Sequence, residues 1–206
     1  AETVSLIADG DSPYGKTFVD WFGFQAQELG LKVSSIHDYK GGRLADVLTR
    51  AVKDPADMML CIPFNATELE TMETAFRNSG STIRRLYSDS AYGEDILQKC
   101  GGKIEGIEGI TIGAAPESGF DISYEIKFGT RPSHGEPQVY DAIIMLEWTL
   151  IDQMEAGDSE NLNEYLKKEP TAGIAGACST IEFDHVVYTN VLSTTYYHYM
   201  LYQGQY

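Results

Sequence analysis

The sequence predicts an α/β fold, an open doubly wound parallel sheet, followed by an α-rich and turn-rich C-terminal portion. Three observations carry that prediction. Up to Gly113, short β-rich runs alternate with amphipathic helical patterns. One of those runs, Met58 to Ile62, is apolar throughout, as a strand covered on both faces should be. Beyond Gly113 the alternation stops, and a long apolar helical pattern takes over.

The first strand is Thr3-Val4-Ser5-Leu6-Ile7-Ala8, ended by the polar break Asp9-Gly10-Asp11-Ser12-Pro13. A helix follows whose stripe is Phe18, Phe22, Ala26 and Leu29, with Gly30 as its C-terminal stop. Lys32 to Ile36 reads as the second strand. After Gly41-Gly42 comes a helix with Leu44, Val47, Leu48, Ala51 and Val52 on one face, ended at Asp54-Pro55. Met58 to Ile62 is strand three, and Asn65-Ala66-Thr67-Glu68 has capping-box spacing with Asn65 as cap, ahead of Leu69, Met72 and Phe76. Ile83 to Tyr87 is expected as strand four, Ser90 to Leu97 as a short helix and Gly109 to Gly113 as strand five. Five βα steps with right-handed crossovers place helices on both faces of one sheet.

After Gly113, Ala114 to Gly135 is aromatic and turn-rich, and a helix from about Pro137 to Met154 is apolar on most sides and so calls for broad burial. A shorter helix is expected over Glu160 to Lys168, and Ile181 to Tyr206 reads as β-rich with many tyrosines, whose alternating strand faces or an interaction surface would account for them.

Composition narrows the function classes. With 206 residues, 43% of them hydrophobic, the chain can bury an ordinary core. A net charge of −16 repels phosphate backbones and anionic membranes, and Arg84-Arg85 is too small a basic cluster to reverse that, so no nucleic-acid partner is expected. No run approaches the ~20 apolar residues of a membrane span; the densest, Ala142 to Ile151, is interrupted by Glu147 and Thr149. Ala1-Glu2-Thr3 has no basic lead-in, and the start reads as processed or cut. Cys61, Cys100 and Cys178 lack metal-ligand spacing; Cys61 is expected as a buried small hydrophobe, and a Cys100 to Cys178 disulfide is left open. His37, His134, His185 and His198 are scattered without ligand spacing. No cofactor is expected.

In an open parallel sheet a ligand sits outside the carboxyl ends of the strands. The loops there are Asp9 to Tyr14, Pro63 to Asn65, Ser88 to Ser90 and Gly113 to Pro116. They offer carboxylates (Asp9, Asp11, Asp89), hydroxyls (Ser12, Ser88, Ser90), the Asn65 amide, and the aromatic faces of Tyr14 and Phe64, a set suited to a small polar or zwitterionic ligand. Ser12, Asn65 and Ser90 also read as plain helix caps, and capping does not exclude binding, because a helix N-terminus can hold a carboxylate.

At these residues the chain resembles the leucine/isoleucine/valine-binding branch of the type I periplasmic binding proteins, whose fold also serves as the ligand-binding region of receptors. Ile7 to Lys16 with Glu28 to Val33 resembles the family's strand, Tyr-Gly loop and helix at the start of the second lobe. Asp46 to Asp57, Leu86-Tyr87-Ser88-Asp89, and Tyr140-Asp141-Ala142 with the helix behind it resemble later segments in the same order. The resemblance implies a periplasmic or cell-surface binder of an amino-acid-like molecule and no catalyst, with a membrane transporter or receptor as partner. It implies ligand contacts at Tyr14, Phe64 and Ser90, with Asn65 and Asp89 as neighbours that could substitute, and Ser12 of the first strand-end loop joins them as a candidate; either Asp89 takes the ligand's amino group or the ligand differs. It also implies an organisation: 1–113 as the second lobe, 114–186 as a crossover returning from the first lobe, and 187–206 rejoining the first sheet. The family's N-terminal lobe has no counterpart here, so the chain is expected to be a fragment of a longer protein, or else a shortened relative that buries the long apolar helix in another way, for example in a homo-oligomer.

Three other readings compete. Asp9 and Asp11 straight after a strand could bind Mg²⁺ in a haloacid-dehalogenase-like phosphatase, although that chemistry wants a lysine near a later strand end and a further acidic pair, which Ser88-Asp89 with Glu94-Asp95 only loosely echoes. A phospho-acceptor receiver would need a lysine where Gly113 to Pro116 stands. A protein-interaction module on the same lobe is the third. The Asn65-Ala66-Thr67 sequon is explained as economically by the helix cap.

Overall fold

The computed structural model describes residues 1–114, 118–132 and 135–157, and beyond them the backbone of strands between 171 and 200. In chain order, the first part runs β1 (Thr3–Ala8), α1 (Pro13–Glu28), β2 (Lys32–Asp38), α2 (Leu44–Ala51), β3 (Met58–Ile62), α3 (Ala66–Ser79), β4 (Arg84–Tyr87), α4 (Glu94–Cys100) and β5 (Glu108–Ile112). Then follow α5 (Phe120–Phe128), α6 (Glu136–Ala156), β6 (Thr171–Ala172), β7 (Gly176–Phe183), β8 (Val186–Thr194) and β9 (Tyr196–Met200). The chain divides into two compact units, Ala1–Thr111 with His198–Tyr206, and Ile112–Tyr197.

In the first unit β1 to β5 are parallel and lie in the order β2-β1-β3-β4-β5, with β9 beside β5. Alternation along the central strands sorts two cores. Val4, Leu6, Ala8, Leu60 and Ile62 face one side with Phe18, Val19 and Phe22 of α1. Ile7, Met59 and Cys61 face the other, with Leu44, Val47, Leu48 and Ala51 of α2 and Leu69, Met72 and Phe76 of α3. The sheet is therefore covered on both faces, as expected, and each fully buried large side chain contributes on the order of 1.5–3 kcal/mol.

Several boundaries move. Leu29 is exposed, because it is the C-cap beyond the last turn of α1, and Leu31 packs on the core in its place. The helix expected from Ser90 to Leu97 is two pieces, a 3₁₀ turn at Asp89–Ala91 and then α4, broken where Gly93 takes φ 137°. Cys61 is fully buried, as expected, and the Cys100 thiol donates to the Ala66 carbonyl; the side chain of residue 178 lies outside the described residues.

In the second unit, the segment read as turn-rich contains α5, whose run Phe120-Asp121-Ile122-Ser123-Tyr124 lacks a single inward stripe. Phe120, Tyr124 and Phe128 stack in series, and Phe120 also meets Tyr140 of α6 at 5.3 Å between ring centroids. Within this chain the long helix is only partly covered: α6 buries Pro137, Asp141 and Met145, while Val139, Ile143, Trp148 and Met154 are exposed. β6, β7 and β8 form an antiparallel sheet, so strand structure begins ahead of Ile181, where the β-rich reading started. The helix expected over 160–168 lies outside the described residues.

Candidate functional site

The order β2-β1-β3 makes the carboxyl ends of β1 and β3 a topological switch point, where loops diverge to opposite faces and leave a crevice. The loop after β1 is built by its own side chains. Asp9 Oδ1 accepts the Asp11 amide at 3.0 Å, Ser12 Oγ accepts the Gly15 amide at 3.2 Å, and Asp11 Oδ2 accepts the Gly41 amide at 2.8 Å. Gly15 is required: a Cβ there would lie 2.3 Å from the Asp9 carbonyl oxygen, so only glycine lets the first turn of α1 settle on the loop. Asp38 accepts the Gly10 and Lys40 amides; burial raises its carboxyl, and these amides outweigh that and hold it below the usual carboxylate range.

The three described loops are cross-bonded. The Tyr14 hydroxyl donates to Asp89 Oδ1 at 2.6 Å, tying the start of α1 to the loop after β4. Burial, and then this bond, push the Tyr14 phenol up to about 12. Ser90 Oγ donates to the Pro63 carbonyl at 2.5 Å and lies 2.8 Å from Ser88 Oγ, tying the loop after β4 to the loop after β3. Asn65 caps α3 by accepting the Glu68 amide at 3.1 Å, and Glu68 Oε2 reaches back to accept the Phe64 amide at 2.8 Å. Phe64 itself is 61% exposed, an apolar face beside polar loops.

The six predicted contacts thus fall on three loops that touch through Tyr14, Asp89, Ser90 and Pro63. Ser12 and Asn65 act as caps, while Ser90 bridges loops and does not cap. Of the fourth loop, residues 115 and 116 lie outside the described residues. Sequence reasoning missed Tyr39, whose hydroxyl donates to Glu68 Oε2 at 2.6 Å and lies 3.2 Å from the Ile62 carbonyl. The signal was an aromatic side chain directly after a strand and before Gly41-Gly42.

Asp9 and Asp11 each place a carboxylate oxygen on a backbone amide, and no group of three His, Cys, Asp or Glu gathers among the described residues. The basic pair is neutralised internally: Arg84 pairs with Glu108 and Arg85 with Glu73. His37 packs against Asp54 at 2.7 Å. No helix among the described residues is long and apolar enough to cross a membrane.

No protein-family model matches the sequence, and no curated protein matches it. Solved structures do. A leucine-binding protein from Thermotoga maritima is similar over 93% of this chain and 60% of its own, with 20% identity and a TM-score of 0.66. A branched-chain amino acid transporter substrate-binding protein from Streptococcus pneumoniae, in complex with isoleucine, is similar over 99% of this chain and 58% of its own, with 18% identity and a TM-score of 0.70. An ABC-transporter solute-binding protein from Rhodopseudomonas palustris, in complex with 3,4-dihydroxybenzoic acid, covers 98% and 61%, with 16% identity and a TM-score of 0.63. The chain thus spans about 60% of the length of these structures. Its fold is that of the type I periplasmic binding proteins.

Proposed function

We propose that the chain is the ligand-binding part of a periplasmic or cell-surface solute-binding protein, and that it binds a small polar, amino-acid-like molecule without chemical conversion. The observation that carries this reading is the meeting of three loops at the switch point, where Asp89, Ser90, Tyr14 and Phe64 combine a carboxylate, hydroxyls and an exposed aromatic face. Ser12 and Asn65 add helix N-termini beside it, and Asp89 is the group assigned to a ligand ammonium. The similar structures whose ligands are isoleucine and dihydroxybenzoate support a ligand that carries a carboxylate. A membrane transporter or receptor is the proposed downstream partner.

The proposed organisation is two-lobed: 1–113 as one lobe, 114–186 as a crossover belonging to the other, and 187–206 rejoining the sheet, with the first lobe contributed by residues outside this sequence. The exposed apolar side chains of α5 and α6 support it, since they fit a face covered in a longer protein. A thermal-shift screen of amino acids and small carboxylates, on this chain and on a two-lobed product of the full gene, tests the proposal. Stabilisation of the longer protein that Asp89→Asn abolishes is expected; no stabilisation by any arm, or Mg²⁺-dependent turnover of a phosphate ester lost in Asp9→Asn, rejects it.

The same apolar faces favour a second reading, a protein-interaction module that includes self-association. Concentration-dependent dimerisation of the full gene product, abolished by Ile143→Ser with Val139→Ser, would favour it.

A further inference from the structure

Helix α3 carries two carboxylates that end on tyrosines at the carboxyl ends of two different strands. Glu73 is 2% exposed, and its Oε1 accepts the Tyr87 hydroxyl at 2.5 Å and Arg85 Nε at 2.9 Å, while Oε2 accepts Arg77 Nε at 3.1 Å. Tyr87 is the last residue of β4 and directly precedes Ser88, Asp89 and Ser90. Glu68 Oε2 accepts both the Tyr39 hydroxyl at 2.6 Å and the Phe64 amide at 2.8 Å. Tyr39 follows the last residue of β2, and its own amide donates to the Ala8 carbonyl at the end of β1.

Hydrophobic packing alone would not select this arrangement. A buried carboxylate is unfavourable against an apolar side chain of equal volume unless donors surround it, and what it supplies in return is direction. Burial pushes the Glu73 carboxyl up, but Arg85 and Tyr87 more than offset that and hold it below the usual carboxylate range, so it stays charged and strongly accepting. Both tyrosines are buried, and each hydroxyl has a glutamate acceptor on the same helix. The two links also converge, because Ser90 joins the loop behind Tyr87 to Pro63, next to the Phe64 amide that Glu68 holds.

We infer that Glu68 and Glu73 are positioning residues: through Tyr39 and Tyr87 they fix the loops Pro63 to Asn65 and Ser88 to Ser90 before any ligand arrives. The importance of this for recognition rests on the binding reading above, but the positioning itself does not. A helix behind the sheet therefore sets the spacing of the binding edge, and a ligand meets loops that are already in register.

Hydrogen exchange on the whole unliganded chain, read at single amides by NMR, tests the inference with Tyr87→Phe, Tyr39→Phe, Glu73→Gln and Glu68→Gln. Tyr87→Phe and Glu73→Gln are expected to speed exchange at Ser88, Ala91 and Tyr92 by roughly ten-fold and to leave Phe64 within about two-fold. Tyr39→Phe and Glu68→Gln are expected to do the reverse. A merely structural role predicts a lower melting temperature with faster exchange spread over the sheet. That uniform pattern, or no change above about two-fold at the named amides, overturns the inference. The phenylalanine variants keep the ring volume, so they decide the matter even where a glutamine variant fails to fold. No ligand enters the measurement, so its failure is distinct from a failed thermal-shift screen.

Discussion

Helices α3 and α6 make opposite use of their apolar residues. In α3, Leu69, Met72 and Phe76 recur at i, i+3 and i+7, and all three are fully buried, with Glu73 drawn in beside them by its arginine and tyrosine partners. In α6, which is longer and more apolar, Pro137, Asp141 and Met145 are buried while Met154 is 79% exposed and Trp148 58% exposed. The difference teaches that total apolarity states only a demand for cover. A stripe states a direction, and a direction can be satisfied by one sheet within the same unit.

The largest contrast is expected from truncation. Phe76→Ala should lower the unfolding free energy by about 3–5 kcal/mol in urea titrations, whereas Trp148→Ala should stay within about 0.5 kcal/mol. Equal losses at the two sites would break the comparison. Helix starts give the next contrast. Gly15→Ala drives a Cβ into the Asp9 carbonyl and should be destabilising by about 1–3 kcal/mol, while a Cβ at Gly135, just before α6, meets nothing within 4 Å and should change little. A smaller effect, about 1 kcal/mol, is expected for Asn65→Ala, which removes the cap of α3; α6 has no side-chain cap to lose.

The smallest effect is a slope with pH. The Asp54 carboxyl is raised by burial, but the Ser35 hydroxyl, the Ala56 amide and His37 outweigh this and leave it depressed, as Glu73 is. A carboxyl depressed in the folded state contributes stability that is complete above the unfolded value of about 4 and is lost as pH falls through the folded value. Urea midpoints measured from neutral to acid pH should therefore fall at the acid end, and Asp54→Asn should flatten that fall. A profile unchanged by Asp54→Asn would show that its partners bind the two states equally.

Most of the first unit was readable in the sequence because its signals are local. Met58 to Ile62 coincides with β3, and the capping-box spacing at Asn65 and Glu68 marks the start of α3. The candidate loops follow from the strand ends alone. What stayed hidden depends on pairs distant in sequence: Tyr14 with Asp89, Tyr39 with Glu68, and Tyr87 with Glu73. Nothing in the run Leu86-Tyr87-Ser88 says that the tyrosine ends on a buried carboxylate of the preceding helix. α5 was missed because its aromatic residues pack on one another and leave no single inward stripe.

The bond between Tyr14 and Asp89 has a thermodynamic consequence for any guest. On the proposed binding reading, a guest ammonium at Asp89 would meet a carboxylate that can accept several donors and that the Tyr14 phenol already orients, so part of the ordering cost falls before the guest arrives. A cation there would gain a charge-assisted bond, stronger than the one a neutral hydroxyl makes. In that reading, selection by charge would fall to a single carboxylate held in place by a tyrosine.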